Sequence, residues 1–331
     1  MQSIHPGICL IGFDNTEMIS PSVLSVLATR GIGELRVLSD IPEIVVAVFR
    51  ILTHLGSPYT LFAMISILYL FGRRGLLVRR RAAFILAIEI AAIAITVGLK
   101  HLFALPRPPV SYRSGFGFPS GHAIGTTVFW GAAALLTERW QWWRRVALAG
   151  GVIIIVAASR VIIGVHYVVD VFAGIAVGVA LLALIIMTVG SGLEMGGNMS
   201  ALVRPTHTDV TAMFGVAAIL TISSIMIAPN EIAVLLGTGM AATGAAIWHK
   251  YGRTFGAIRV PITLRTVIIG GICITIGFTA LITTVIMSTT VYVAQFETMI
   301  NPISIASYAI ATGSLAAVII LAAPSITARI I

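Results

Sequence analysis

The residues with the clearest potential for chemistry lie in the stretch SRVIIGVHYVVD, residues 159–170. His166 and Asp170 are four positions apart, so on a helix they would share a face. The aspartate can then accept the Nδ1 proton of the imidazole, which leaves Nε2 free for nucleophilic attack and stabilises the cation that forms. We therefore expect a nucleophilic histidine whose cationic form is favoured by a carboxylate. Arg160 precedes this pair in the same stretch.

Two further blocks could complete a site for an anion. In KHLFALPRP, Lys100 and Arg107 add two cations, of which the planar guanidinium fork suits phosphate oxygens and the lysine adds a point charge. In PSGH, Ser120 and Gly121 come at the predicted start of a helix, where free backbone N–H groups and the helix dipole favour an anion. His122 follows them and could protonate a leaving oxygen. Together with Arg160, the residues of these two blocks predict a pocket for a tetrahedral oxyanion.

The elements that position these residues are predicted to be membrane helices. Hydrophobic residues make up 58% of the 331-residue sequence and charged residues only 10%, against roughly 25% in a soluble chain. Several runs of about 18 or more residues carry no charge, which is typical of transmembrane helices. The net charge of +9 does not indicate nucleic-acid binding, because most basic residues lie in short loops between apolar runs. The composition therefore predicts an all-α, polytopic helical membrane protein.

The apolar runs also predict how the chain is divided. Nine spans are expected, near residues 58–72, 82–103, 121–137, 146–163, 167–189, 210–228, 231–248, 266–289 and 303–323. Residues 41–55 carry Glu43, Arg50 and His54, and they fit either a poor first span or an amphipathic helix at the interface. The predicted division is an N-terminal surface segment at 1–40, a core of five or six helices at 41–189, a Gly-rich cytoplasmic linker at 190–209 and a four-helix extension at 210–331.

The basic residues predict which loops face the cytoplasm. Arginine and lysine are concentrated in the loops at 73–81, 139–145 and 250–265, which is typical of cytoplasmic loops. The loops at 229–230 and 290–302, on the opposite side, contain no basic residue. The topology follows from loop charge alone, without reference to the polar blocks. It nevertheless brings all three blocks to one outer membrane face.

Together the three blocks resemble the signature of the type-2 phosphatidic acid phosphatase superfamily, K-x6-R-P, P-S-G-H and S-R-x5-H-x3-D. All eleven specified positions are present in order, as Lys100, Arg107, Pro108, Pro119, Ser120, Gly121, His122, Ser159, Arg160, His166 and Asp170. The resemblance covers about residues 41–189 and implies a six-helix core with an outward-facing site that needs no metal or other cofactor. It also implies a phospho-histidine intermediate.

The resemblance further implies a role for each matched polar residue. His166 would be the nucleophile, Asp170 its partner and His122 the general acid. The phosphate would be held by Lys100, Arg107, Ser120, Gly121 and Arg160.

The sequence thus predicts a phosphatase of the cell membrane that acts on a lipid phosphate or pyrophosphate whose tail stays in the bilayer. Phosphatidate-like lipids, phosphatidylglycerophosphate-like lipids and polyprenyl phosphates or diphosphates all fit, and no motif chooses among them. Three alternatives remain: a lipid phosphotransferase, a vanadate-dependent haloperoxidase, and a transport or partner-binding module in the last four helices. The spans argue against the haloperoxidase, since those relatives resemble soluble proteins. The lack of charged residues within the last four spans weakens the case for an ion pathway.

Overall fold

The computed structural model describes residues 30–31, 40–72, 78–189, 203–258, 260–294 and 302–329, and the regular elements in these ranges are all helices. Ten α-helices and no strand lie in these ranges. The helices are α1 (Glu43–Leu52), α2 (Pro58–Leu70), α3 (Arg79–Phe103), α4 (Gly121–Leu136), α5 (Trp142–Ile162), α6 (Val168–Val189), α7 (His207–Ile227), α8 (Ile232–Ala257), α9 (Leu264–Ala294) and α10 (Pro302–Arg329). A 3₁₀ helix, Thr53–Gly56, joins α1 to α2.

Seven of these helices, α3 and α5 to α10, are long and apolar enough to cross a membrane. Helix α4 has 16 residues, about 24 Å at 1.5 Å per residue, and is shorter than the usual span. The α1 and 3₁₀ segment meets α2 at a bend of 47°, so these elements form at most one broken span. The predicted all-α, polytopic bundle is confirmed, and the chain is a multi-pass membrane protein.

Helices α4 and α6 pack unusually close together because α6 has glycines where it faces α4. A Cβ atom added to Gly174 would lie 2.7 Å from the backbone oxygen of Ser120, and one added to Gly178 would lie 2.7 Å from Cβ of Thr127. Small residues allow this kind of backbone approach between membrane helices. The contact at Gly174 fixes the start of α4 against α6.

The last four helices share a hydrophobic core with the first half of the chain. Buried residues of α2, α3, α4 and α6 belong to the same cluster as buried residues of α7, α8 and α10. Polar contacts reinforce this packing: Ser224 Oγ donates to Ala94 O at 2.8 Å, and Tyr69 OH donates to Leu321 O at 3.1 Å. The division into core, linker and extension remains a prediction. Most of the linker, residues 190–202, and most of the N-terminal segment lie outside the described residues.

Candidate active site

The three polar blocks meet at one end of the helical bundle. Arg107, in the loop between α3 and α4, donates from Nη1 to Val165 O at 3.0 Å, and the same atom lies 3.2 Å from His166 Nε2. The backbone N–H of Ser120 donates to Asp170 O at 2.9 Å. These bonds tie the loop before α4 to the turn between α5 and α6. The structure therefore brings together residues that are up to about 70 positions apart in the sequence.

Lys100 lies in the last turn of α3 and reaches back over the loop that follows. Its Nζ donates to Phe116 O at 2.6 Å. Helix α3 ends just after it, at Ala104, in the left-handed conformation with φ of 48°. The side chain also passes the start of α4, since a Cβ on Gly121 would lie 3.9 Å from Lys100 Cε and only 2.8 Å from Thr96 Cγ2. The stem of Lys100 therefore lies beside the first residue of α4, where a larger side chain than glycine would collide with Thr96.

Two buried polar groups at this site have no hydrogen-bond partner among the described residues. They are the hydroxyl of Ser120, which precedes the first residue of α4, and Nε of Arg160 in the last turn of α5. Arg160 is anchored by its Nη1, which donates to Thr53 Oγ1 at 2.9 Å. Buried donors are nearly always satisfied in folded proteins. An oxyanion bound here would supply the missing acceptors.

His122 lies in the first turn of α4, within electrostatic range of Arg160, His166 and Lys100. The two histidines of the cluster therefore come from separate elements. His166 itself lies in the turn between α5 and α6, and the turn is closed by backbone bonds from His166 and Val165 to Arg160 O at 3.2 Å.

Asp170 lies in the first turn of α6 and is fully buried. Its Oδ2 is 3.4 Å from His166 Nδ1 and accepts the backbone N–H of Tyr167 at 3.0 Å. Arg107 carries only N–H donors, so His166 Nε2 must be the acceptor in its contact with that guanidinium. The imidazole proton then lies on Nδ1, facing the carboxylate, and Nε2 holds the free electron pair.

Comparison with known proteins identifies this part of the chain. Residues 81–191, which contain α4 to α6, nearly all of α3 and all three blocks, match the PAP2 superfamily. The chain contains a PAP2 superfamily region. The resemblance drawn from the eleven motif positions is thereby confirmed, and the extension from α7 to α10 lies outside the matched PAP2 region.

Two curated relatives are decaprenylphosphoryl-5-phosphoribose phosphatases of Mycobacterium tuberculosis, from strains CDC 1551 and H37Rv. Each is 36% identical to the chain over an alignment of 129 residues, and the match covers 37% of this chain. The match spans 65% of the length of each relative. No solved structure matches the chain.

Sequence reasoning missed one residue that contacts the PAP2 site. Arg30, which precedes the PAP2 region by 50 positions, donates from Nε to Asp170 Oδ1 at 2.6 Å. The bond joins residues 140 positions apart, and Arg30 belongs to no motif, so nothing in the sequence indicates it. The segment 1–40 was predicted to lie at the surface, yet Arg30 within it is only 7% exposed.

The surroundings of His166 keep its ring neutral. Burial lowers the pKa of His166 from 6.5 to about 3. The hydrogen bond to Asp170 acts in the opposite direction, but the positive charges of Lys100, Arg107 and Arg160 add to the lowering. Asp170 thus favours the cationic ring, as expected, but in the site without an anion desolvation and three cations outweigh this one carboxylate. A neutral ring is the form that can attack phosphorus.

The described part of the chain holds no group of three or more His, Cys, Asp or Glu side chains arranged to bind a metal ion.

Proposed function

We propose that the chain is a phosphatase that hydrolyses a phosphate ester or anhydride of a membrane lipid. The observation that supports this most directly is the cluster itself. Three cations act on the ring of a neutral histidine whose Nε2 carries the lone pair, and two buried donors of the same cluster lack acceptors among the described residues. The PAP2 superfamily match and two phosphatase relatives point to the same chemistry.

The proposed reaction has two steps. In the first, Nε2 of His166 attacks phosphorus, the bond from phosphorus to the lipid oxygen breaks, and His122 gives a proton to that leaving oxygen. Burial and the nearby cations lower the pKa of His122 in the site without an anion, so the ring takes up this proton together with the phosphate dianion, whose charge offsets those cations. In the second, His122, now neutral, takes a proton from a water molecule that attacks the phospho-histidine. Inorganic phosphate leaves and His166 is restored. The carboxylate of Asp170 accepts the hydrogen bond from Nδ1–H of His166 and stabilises the imidazole ring while the ring carries a positive charge.

The remaining matched residues bind the phosphoryl oxygens in this proposal. Lys100, Arg107 and Arg160 offset the charge that develops in the transition state, and Ser120 and Gly121 supply a hydroxyl and backbone N–H groups at a helix start. Groups already aimed at the oxygens need little rearrangement during the reaction, which is why such sites accelerate phosphoryl transfer.

The substrate is proposed to be a lipid whose tail stays in the bilayer while its phosphate enters the site. The relatives are named for decaprenylphosphoryl-5-phosphoribose, which favours a phosphorylated sugar carried on a polyprenyl phosphate as the first class to test. Phosphatidate-like, phosphatidylglycerophosphate-like and polyprenyl diphosphate lipids fit the same phosphate pocket and belong in the same comparison.

We place the site on the extracytoplasmic face of the cell membrane, because the basic loops lie at the other end of the helices. Labelling in intact cells tests this side. In a background without Cys9 and Cys273, an impermeant thiol reagent should modify Ser114→Cys and spare Thr254→Cys; the reverse pattern would invert the topology.

Phosphate release by the purified protein, with EDTA present, tests the activity. We expect His166→Ala to lose about 10³-fold or more of the wild-type rate on the best of the four lipids. Arg160→Ala should also lose most activity. Arg144→Ala is the matched control, because Arg144 is an exposed arginine at the opposite end of the same helix and should retain the wild-type rate.

Two results would contradict the proposal. Equal activity in His166→Ala would remove the nucleophile. Transfer of labelled phosphate to an added lipid alcohol, with no release to water, would identify a phosphotransferase instead.

A further inference from the structure

The carboxylate of Asp170 is bound on two sides. Arg30 donates from Nε to Oδ1 at 2.6 Å and from Nη2 to Oδ2 at 3.3 Å, so guanidinium and carboxylate face each other as a fork. Oδ2 also accepts the backbone N–H of Tyr167 and faces Nδ1 of His166. Asp170 therefore cannot rotate toward or away from the histidine without breaking its bonds to the arginine.

Arg30 is itself held by the loop and the turn that form the site. Its Nη2 donates to Pro106 O at 2.6 Å, and its guanidinium lies 4.6 Å from the centre of the Tyr167 ring. A Cβ on Gly117 would lie 3.0 Å from the same Nη2, so that position leaves just enough room for the arginine. One buried side chain thus connects the backbone beside Arg107 to the carboxylate behind His166.

From these contacts we propose that Arg30 is a positioning residue for the reaction proposed above. It holds Asp170 with one oxygen facing Nδ1 of His166, so that Nε2 points at the phosphate. It does not touch phosphate or the reacting atoms. The proposal rests on the phosphatase function, and it adds to the site one residue that precedes the PAP2 region.

The arginine also affects how the carboxylate behaves. An aspartate that shares its charge with a guanidinium attracts the Nδ1 proton less strongly, so the proton stays on the ring when the phospho-histidine forms. Without Arg30, the carboxylate would interact more strongly with the ring and would favour its cationic form. Loss of the arginine should therefore shift the acidic limb of the pH profile as well as slow the reaction.

Kinetics of the full-length protein in detergent test this role, with p-nitrophenyl phosphate as a phosphate monoester that lacks a lipid tail. We expect Arg30→Ala to lower kcat about 10- to 100-fold, the usual effect of removing a group that orients a catalytic histidine. KM should change little, because Lys100, Arg107 and Arg160 are unchanged. The acidic limb of the kcat/KM profile should move to higher pH. The substitution leaves the other charged or titratable neighbours of His166 in place, namely Lys100, Arg107, His122, Arg160 and Asp170, so the shift can be assigned to Arg30.

Two further variants separate positioning from folding. Arg30→Lys keeps the charge but offers no fork, and it should recover part of kcat and return the acidic limb toward that of the wild type. Arg50→Ala removes an exposed arginine of α1 and should match the wild type in every measurement. If Arg30→Ala does not fold, Arg30→Lys alone still tests the shift in pH profile against the wild type.

The outcomes distinguish this inference from the proposed function. An active His166→Ala would refute the phosphatase mechanism whatever the arginine does. If His166→Ala is inactive, either of two results would show that Arg30 is not a positioning residue. One is that Arg30→Ala keeps the wild-type kcat or exceeds it. The other is that both Arg30 variants lose activity equally with an unmoved acidic limb, which would make the arginine a structural anchor only.

Discussion

At the scale of single residues, the central feature is a buried histidine that remains neutral. His166 is 2% exposed, and burial together with three nearby cations lowers its pKa to about 3. A bound phosphate dianion would face the same cations and offset their charge. The ring therefore becomes easier to protonate only when substrate or product is present. This coupling suits a nucleophile that becomes positively charged when it forms a bond to phosphorus.

The prediction at this scale concerns the titration of that ring. In nitrogen NMR spectra of histidine-labelled protein in detergent, the His166 signal should stay in its neutral form from pH 8 down to about pH 4. Saturating orthophosphate should move its midpoint to higher pH. The His166→Ala variant identifies the signal. A midpoint near 6.5 without phosphate would show that the site does not suppress the charge.

The same low pKa has a consequence for stability. The unfolded chain takes up the proton near pH 6.5 and the folded chain only near pH 3. The free energy of unfolding should therefore decrease as the pH falls through that interval, because the unfolded state binds more protons there.

Most of the site, but not all of it, is predictable from sequence at this scale. The spacing of Lys100, Arg107, His122 and His166 predicts a phosphate site, because each group would have to reach the same small ligand. Arg30 is different because it contacts a neighbouring carboxylate instead of that ligand. Asp170 is 140 positions from Arg30 in the sequence, and the two side chains come into contact only when the chain folds.

At the scale of elements, hydropathy predicts where helices lie better than how they meet. Each predicted span overlaps one observed helix, since apolar length is a property of the local sequence. The 47° bend before Pro58 is not predictable in this way. It depends on tertiary packing, as does the approach of α6 to the start of α4.

The element-scale prediction tests that approach with a pair of glycine variants. Gly174→Ala places a methyl group 2.7 Å from Ser120 O, a backbone atom that cannot move away without displacing the start of α4. We expect a loss of about 1–3 kcal/mol in unfolding free energy and a lower rate of phosphate release. Gly150→Ala is the control, because no atom lies within 4 Å of the added Cβ. That change should be neutral or stabilise α5 by up to about 1 kcal/mol.

Thermal unfolding in detergent, followed by circular dichroism, compares the two variants, and phosphate release is measured on the same samples. Equal midpoints for Gly174→Ala and Gly150→Ala would mean that α4 and α6 are free to separate. The close contact would then not position the site.

At the scale of the whole molecule, the last four helices bind the helices that carry the site. Helix α3 brings Lys100 to the site at one end. At its other end Arg79 donates to the backbone oxygens of Phe255, in the last turn of α8, and Ile258, just after α8. Buried residues of α7 pack in the same cluster as those of α3. Helix packing in a membrane depends on such close and polar contacts, because lipid can replace apolar contacts at little cost.

Removal of the extension is therefore expected to destroy the fold of the site. A chain that ends at residue 195 would leave Arg79 without its acceptors at Phe255 and Ile258, and would leave Ala94 without the Ser224 hydroxyl. Arg79 would keep its bonds to the backbone oxygens of Tyr69 and Leu70, but the part of the shared hydrophobic cluster that α7, α8 and α10 cover would be uncovered. We expect this chain to aggregate or to elute without a defined peak from size exclusion, and to release no phosphate.

The matched control cuts the chain but keeps every helix. A protease site inserted between residues 190 and 202, cleaved after purification, should leave both parts associated and the rate of phosphate release unchanged. Full activity in the shortened chain would instead show that the first half folds alone. The last four helices would then be free to bind a partner or to transport a solute. Transport of an ion is the least favoured of these roles, because the predicted spans of these helices contain no charged residue.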